Sequence, residues 1–143
     1  MNNQRYLAPL MFVAMLNQAQ AQTAPYNTQN APSACSGAPV TNASGSASGL
    51  LAKTSQGSLC SLSVTNYTST GGYVMVFNTT AIPADGAVTP IDCRPLAAGG
   101  VTTINWFPVP MYMSVGISVS VSSTGCLTKA VSAISGFISA NIQ

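Results

Sequence analysis

Apolar and polar residues alternate along several short stretches of the chain, with the period of two that is typical of a half-buried β-strand. In residues 59–66, "LCSLSVTN", the side chains of Cys60, Leu62 and Val64 share one face, while polar residues occupy the other. In residues 115–123, "VGISVSVSS", branched apolar residues alternate with serines. Both segments are therefore predicted to be strands with one face toward a hydrophobic core.

Residues 71–80, "GGYVMVFNTT", break this alternation. In an extended chain Tyr73, Met75 and Phe77 would point one way and two valines the other, so both faces are apolar. Because an apolar strip of this kind is unusual in water, something should cover each face. The N-terminal segment, a neighbouring subunit and a ligand all stay open as the cover. The three larger side chains are therefore a candidate interface strand.

Turn signals divide the rest of the chain into short segments at intervals of roughly ten to fifteen residues, a spacing that favours an all-β domain. Pro83 and the pair Asp85 and Gly86 are turn formers. Residues 127–142, "LTKAVSAISGFISANI", fit a helix or a strand, and their β-branched residues favour a strand. We expect an all-β fold, a single antiparallel β-sandwich with either jelly-roll or immunoglobulin-like topology.

The first 21 residues have the layout of a secretory signal peptide. A single positive charge at Arg5 precedes an apolar stretch from residue 6 to 16, and Ala19 and Ala21 follow as small residues two apart. The apolar stretch is about eleven residues, whereas a membrane span needs roughly 17 to 25. We expect cleavage after Ala21, with no membrane span in the mature chain.

Beyond the signal peptide, the amino-acid composition of the chain changes once, at about residue 50. Residues 22–49 are rich in Pro, Ser, Ala, Asn and Gly without an apolar period, which is the composition of a flexible arm or linker. Residues 50–143 contain the strand-like segments. The sequence therefore predicts an N-terminal arm that contributes no core, followed by one β-sandwich domain.

Charged residues are scarce, which narrows the classes of partner. They make up 4% of the chain, against roughly 25% in an ordinary soluble domain, and the net charge is +2. Nucleic-acid binding draws on clustered Lys and Arg, which are absent, so we exclude it. Beyond the signal peptide the charged residues are Lys53, Asp85, Asp92, Arg94 and Lys129.

Four cysteines, all beyond the signal peptide, predict two disulfide bonds in an oxidising compartment. The chain has no His and no C-x2-C spacing, so zinc is excluded. Among the three pairings we favour Cys35 with Cys60, which would pin the arm. The second bond would then join Cys93 to Cys126 and close a loop of about 30 residues, with an entropic gain of roughly 3 to 4 kcal/mol.

The residue types that usually carry catalysis are either absent or expected to be engaged in other bonds. The chain has neither His nor Glu, and the cysteines are expected to be paired. Asp85 is expected to cap main-chain amides of its own turn, and Asp92 to form a surface ion pair with Arg94. Neither S-x-x-K nor G-x-S-x-G occurs, and no D-x-D run offers a calcium loop. We therefore predict no enzyme activity, no cofactor and no metal site.

Aromatic residues concentrate in residues 105–113, "NWFPVPMYM". Trp106, Phe107 and Tyr112 lie beside two prolines, on a segment expected to be a loop or an edge. Exposed aromatics can stack on sugar rings or anchor a protein partner, so these three are a candidate binding patch. The alternative is that Trp106 is a core residue of the sandwich.

The stretch "GYVMVFNTTAIPADGAVTPIDC", then "AAGG" and "SVSSTGCLTK", resembles a group of small, mostly uncharacterised proteins of bacteriophage and proteobacterial genomes. The resemblance spans roughly residues 58–139 and brings no catalytic motif. It implies a β-sandwich and a bond between Cys93 and Cys126, with Cys35 and Cys60 as an addition in this chain. The phage members of the group imply a virion decoration or fibre role. Virion parts are normally assembled in the cytoplasm, however, and the predicted signal peptide of this chain directs export.

These observations together predict an exported protein that acts through its surface without catalysis. It would be secreted, periplasmic or extracellular, as a structural subunit or an adhesive or binding module. We expect a protein partner or self-association, with a glycan as the other ligand class that aromatics suit. The alternative is a virion component, and a small secreted hydrolase is the remote alternative.

Overall fold

The computed structural model describes residues 35–43 and 45–143, and none of these residues lies in a helix. The predicted signal peptide and half of the predicted arm, residues 22–34 and 44, lie outside the described residues. Within them, the strands in chain order are β1 (Val40–Thr41), β2 (Gly49–Lys53), β3 (Gly57–Asn66), β4 (Gly72–Phe77), β5 (Gly86–Ala87), β6 (Asp92–Leu96), β7 (Val101–Asn105), β8 (Met111–Met113), β9 (Ile117–Ser122), β10 (Thr128–Lys129) and β11 (Gly136–Ile142).

All strand pairs are antiparallel, and they form two larger sheets and one small ribbon. Sheet A has the order β1-β11-β3-β7, and β8 pairs with the start of β3 on the edge that β7 uses further along. Sheet B has the order β2-β9-β4-β6. Strands β5 and β10 form the two-stranded ribbon. The predicted all-β antiparallel fold is confirmed.

The two sheets share one hydrophobic core. Its members come from the inward positions of strands in both sheets, as the period of two predicts. Sheet A contributes Leu62 and Val64 on β3 with Ile138 and Ala140 on β11, and sheet B contributes Val74 and Val76 on β4 with Val119 and Val121 on β9. This is the packing expected of a two-layer β domain.

Both predicted disulfide bonds are present. Cys35 is bonded to Cys60, with 6.0 Å between their Cα atoms, and Cys93 is bonded to Cys126, with 5.8 Å. The described residues contain no free cysteine. These bonds are consistent with an oxidising or extracellular compartment.

The described part of the predicted arm differs from the expectation that it contributes no core. Strand β1 pairs with β11, and the Val40 side chain packs against the shared core. Asn42 is buried, and its side chain is satisfied there, since it accepts a hydrogen bond from the Ile138 amide at 2.6 Å and donates to the Gly136 carbonyl at 3.4 Å. The Asn42 side chain thus takes the place of one main-chain hydrogen bond between β1 and β11. Sheet A begins at Val40, ten residues before the predicted boundary at 50.

Gly136 is where β11 begins, and it should not tolerate a side chain. A Cβ there would overlap the main-chain carbonyl oxygen of Thr65. Gly136→Ala should therefore lower the free energy of unfolding by about 1 to 3 kcal/mol, the usual cost of overpacking. The control is Gly37→Ala, whose Cβ would lie 3.8 Å from its nearest neighbour, the carbonyl oxygen of Ile142. Urea unfolding followed by Trp106 fluorescence measures both, and equal stabilities would contradict the close approach.

Candidate functional site

The second face of β4, which the sequence left open, is covered by the chain itself. Met75 is 0% exposed and Phe77 is 3% exposed, although neither belongs to the core between the sheets. Two connecting segments cross this side of sheet B, one after β4 and one after β9. Thr79 lies 2.7 Å from Ser118 through their hydroxyls, and Ser122 donates to the Thr128 carbonyl at 3.1 Å.

The Cys93–Cys126 bond holds this cover in place. Cys93 on β6 lies opposite Met75 on β4, and its disulfide reaches the segment that follows β9. The candidate interface strand of Tyr73, Met75 and Phe77 is therefore closed within the chain at Met75 and Phe77, and half-buried at Tyr73. In this fold Met75 and Phe77 have almost no exposed surface to offer a subunit or a ligand.

Asp85 and Lys129 form an ion pair in the ribbon above sheet B. The Lys129 ammonium donates to Asp85 Oδ1 at 2.6 Å, and the Val131 amide donates to Oδ2 at 3.2 Å. The Lys129 side chain is 5% exposed, and that of Asp85 is 48% exposed. The hydrogen bond from Lys129, followed by that from Val131, lowers the pKa of Asp85 below its usual range.

The expectation that the Asp85 carboxylate caps amides of its own turn is therefore wrong, because its hydrogen-bond partners lie elsewhere in the chain. The carboxylate binds the Lys129 ammonium and the Val131 amide, which lie 44 and 46 positions further along the chain. Strand β5 pairs with β10, and this pairing brings Asp85, immediately before β5, next to Lys129. The carboxylate thus ties the two covering segments together.

Stability should depend on pH through Asp85. Its folded pKa is depressed, so the ionised form stabilises the fold above the ordinary pKa, and this stabilisation is lost as pH falls through the folded pKa. Asp85→Asn should lower the urea midpoint at pH 7, and the gap from the unsubstituted protein should close below about pH 4. Urea titrations between neutral and acidic pH measure it. A gap that is the same at every pH would contradict the ion pair.

The other charged side chains of the described residues also have partners. Arg94 Nε lies 2.9 Å from Asp92 Oδ1, so the predicted surface ion pair is confirmed. Lys53 donates to the main-chain carbonyl of Gln143 at 3.0 Å. Among the described residues, no three His, Cys, Asp or Glu side chains come together in a group that could hold a metal ion.

The aromatic segment between β7 and β8 divides into one residue packed against the core and an exposed patch. Trp106 is half-buried and packs against the shared core. Phe107 is 75% exposed, Val109 is 78% and Tyr112 is 63%, and the Tyr112 hydroxyl donates to Gln56 Oε1 at 3.1 Å. Pro108 and Pro110 lack the amide that pairing requires, so the chain between β7 and β8 leaves the sheet. We call Phe107, Val109 and Tyr112 the edge patch.

A groove of about 400 Å³ lies beside β7 and was not predicted. It runs between β7 of sheet A and β6 of sheet B, and the Thr102 hydroxyl donates to the Pro95 carbonyl across it at 2.8 Å. Its lining residues form two short runs on separate strands of different sheets and carry no motif, so periodicity could not have found it. The lining consists of Arg94, Pro95, Thr102, Thr103, Ile104 and Asn105.

The described residues contain no helix that is long and apolar enough to cross a membrane. No protein-family model, no curated protein and no solved structure matches this chain.

Proposed function

We propose that the protein is an exported, non-catalytic structural or surface-binding module. The two disulfides and the signal-like N-terminus support export. In the described residues the charged side chains already bind one another or the main chain, which supports a role without proton transfer.

The observation that carries the proposal is the edge patch. Two aromatic side chains and a valine are more than 60% exposed in one short segment, while Trp106 beside them is half-buried against the core. Aromatic side chains bury large areas with little loss of conformational entropy, and they dominate recognition of proteins and of sugar rings. The patch would therefore hold the protein to an assembly or to a cell-surface component.

The experiment compares the location of three forms of the protein in its native host. We expect the unsubstituted protein outside the cytoplasm, without free thiols, and largely in the sedimented envelope or extracellular fraction. Phe107→Ser with Tyr112→Ser should leave export and amount unchanged and move the protein to the soluble fraction, because the apolar contact area is lost. Fractionation and immunoblotting measure the shift.

The matched control removes apolar side chains that are exposed elsewhere. Val115→Ser with Leu127→Ser changes residues that are 49% and 72% exposed, and it should leave the distribution as it is. Cytoplasmic protein with reduced thiols would refute export. Equal distributions of the two double variants would refute the edge patch as the binding surface.

A further inference from the structure

The described sheets have several free edges, and only one of them lacks protection against strand pairing. Strands β1, β5 and β10 are each two residues long and β8 is three, and β2 carries Lys53 beside an irregular register. Strand β6 carries Pro95 and the ion pair of Asp92 with Arg94. Short strands, charges, bulges and prolines are the devices that block edge pairing. Strand β7, with the sequence Val-Thr-Thr-Ile-Asn, has none of them.

The main-chain hydrogen bonds show which groups of β7 face this free edge. The Gly100 carbonyl accepts from the Asn66 amide at 2.8 Å, and the Trp106 amide donates to the Cys60 carbonyl at 3.0 Å, so both residues face β3. Because successive residues of a strand turn their amide and carbonyl to opposite edges, Thr102 and Ile104 face β3 as well. Val101, Thr103 and Asn105 therefore present their amides and carbonyls outward.

These outward groups are complementary to themselves. An antiparallel pair of β7 strands related by a two-fold axis at Thr103 places Thr103 opposite Thr103 and Val101 opposite Asn105 of the second copy. Each of these opposed pairs exchanges two hydrogen bonds, so every outward amide and carbonyl of the strand finds a partner. A two-fold interface of this kind uses the same surface on both copies.

The surroundings of β7 suit a second copy. The strand carries no charge, so a two-fold axis brings no like charges into opposition on it. Thr102 and Ile104 of the second copy would lie toward the groove beside Pro95. The exposed Val101 would lie near the edge patch at Phe107, which adds apolar area to the paired main chains.

We propose that a second copy of this chain adds β7 to the free edge of β7, in antiparallel register about Thr103, to form a two-fold dimer. This inference deepens the proposed function by naming one partner, and it rests on that function in taking the molecule to act through its surface. The two are tested by different variants and different readouts, so that either can fail alone.

Analytical ultracentrifugation of the disulfide-bonded protein over about 1 µM to 1 mM, where small interfaces dissociate, tests the dimer. We expect the mass to rise from monomer to dimer. Thr103→Lys should weaken the dimer at least about tenfold, since it opposes two like charges at the axis, and Thr103→Glu should do the same. An equimolar mixture of the two variants should recover the dimer, which a misfolded variant would not.

The matched control is Thr41→Lys. It adds the same charge at an exposed residue of β1, on the opposite edge of the same sheet, and should dimerise as the unsubstituted protein does. A monomer at the highest concentration would overturn the proposal. So would a Thr103→Lys variant that dimerises normally, or a Thr41→Lys variant that does not.

Amide hydrogen exchange locates the contact independently of any substitution. The amides of Val101, Thr103 and Asn105 should exchange quickly in dilute protein and slow down as concentration rises. Those of Thr102 and Ile104 should be slow throughout, because they are bonded to β3. A dimer that leaves the three outward amides unprotected would refute β7 as its interface.

Discussion

Replacing Cys93 and Cys126 together with alanine should lower the free energy of unfolding by more than the loop-entropy term, which for a bond of this span is about 3 to 4 kcal/mol. The bond joins residues 33 positions apart. It also fixes the segment after β9 over Met75, so its loss should loosen the cover of sheet B in the folded state. Urea unfolding followed by Trp106 fluorescence measures the change.

The double variant Cys35→Ala with Cys60→Ala separates these two contributions. Its bond joins residues 25 positions apart, so the loop term is nearly the same. That bond ties residue 35 to β3 in sheet A and holds no cover over β4. The Cys93 and Cys126 variant should therefore lose more stability than this control. Equal losses would show that the loop term alone accounts for the Cys93–Cys126 bond.

The period of two was sufficient to predict most of the core strands. Leu62 and Val64 are buried as predicted, and so are Val119 and Val121, because a strand between two others can turn only one face to the shared core. The C-terminal strand is also confirmed, as β11. Its pairing with β3 outweighs the helical spacing of its apolar residues.

The cover of β4 could not be predicted, because the segments that form it have no apolar period. They contact sheet B through hydroxyl and main-chain groups, such as Ser118 with the Ala81 carbonyl at 3.3 Å. Lys129 shows the same difficulty. A lysine normally lies in water, and its burial follows from a carboxylate that pairing of β5 with β10 brings to it.

The candidate binding patch was predictable as a group, but its members could not be told apart by sequence. Trp106 continues the inward side of β7 and reaches the core, while Phe107 follows it and lies in water. One residue of displacement changes the face of an extended chain. The groove beside β7 forms because β6 of sheet B packs next to it. The position of one sheet relative to the other is not encoded in the local sequence of either strand.

Replacing Met75 with alanine should lower the free energy of unfolding by about 2 to 5 kcal/mol, the range for truncating a buried side chain of this size. The side chain is 0% exposed, lies between Ser120 and Cys93, and is covered from above by the chain's own segments. Met75→Leu conserves the volume and should cost less than about 1.5 kcal/mol. Urea unfolding of both variants measures the difference.

The same substitution tests whether the disulfide and the second face of β4 act together. If the Cys93–Cys126 bond holds the cover over Met75, then Met75→Ala should cost less in the variant that lacks the bond, because the side chain is already partly released there. Residues in contact show such non-additive losses, whereas distant residues do not. Met75→Ala in the Cys35 and Cys60 variant should keep its full cost. Additive losses in both backgrounds would mean that the cover over β4 stays closed without its disulfide.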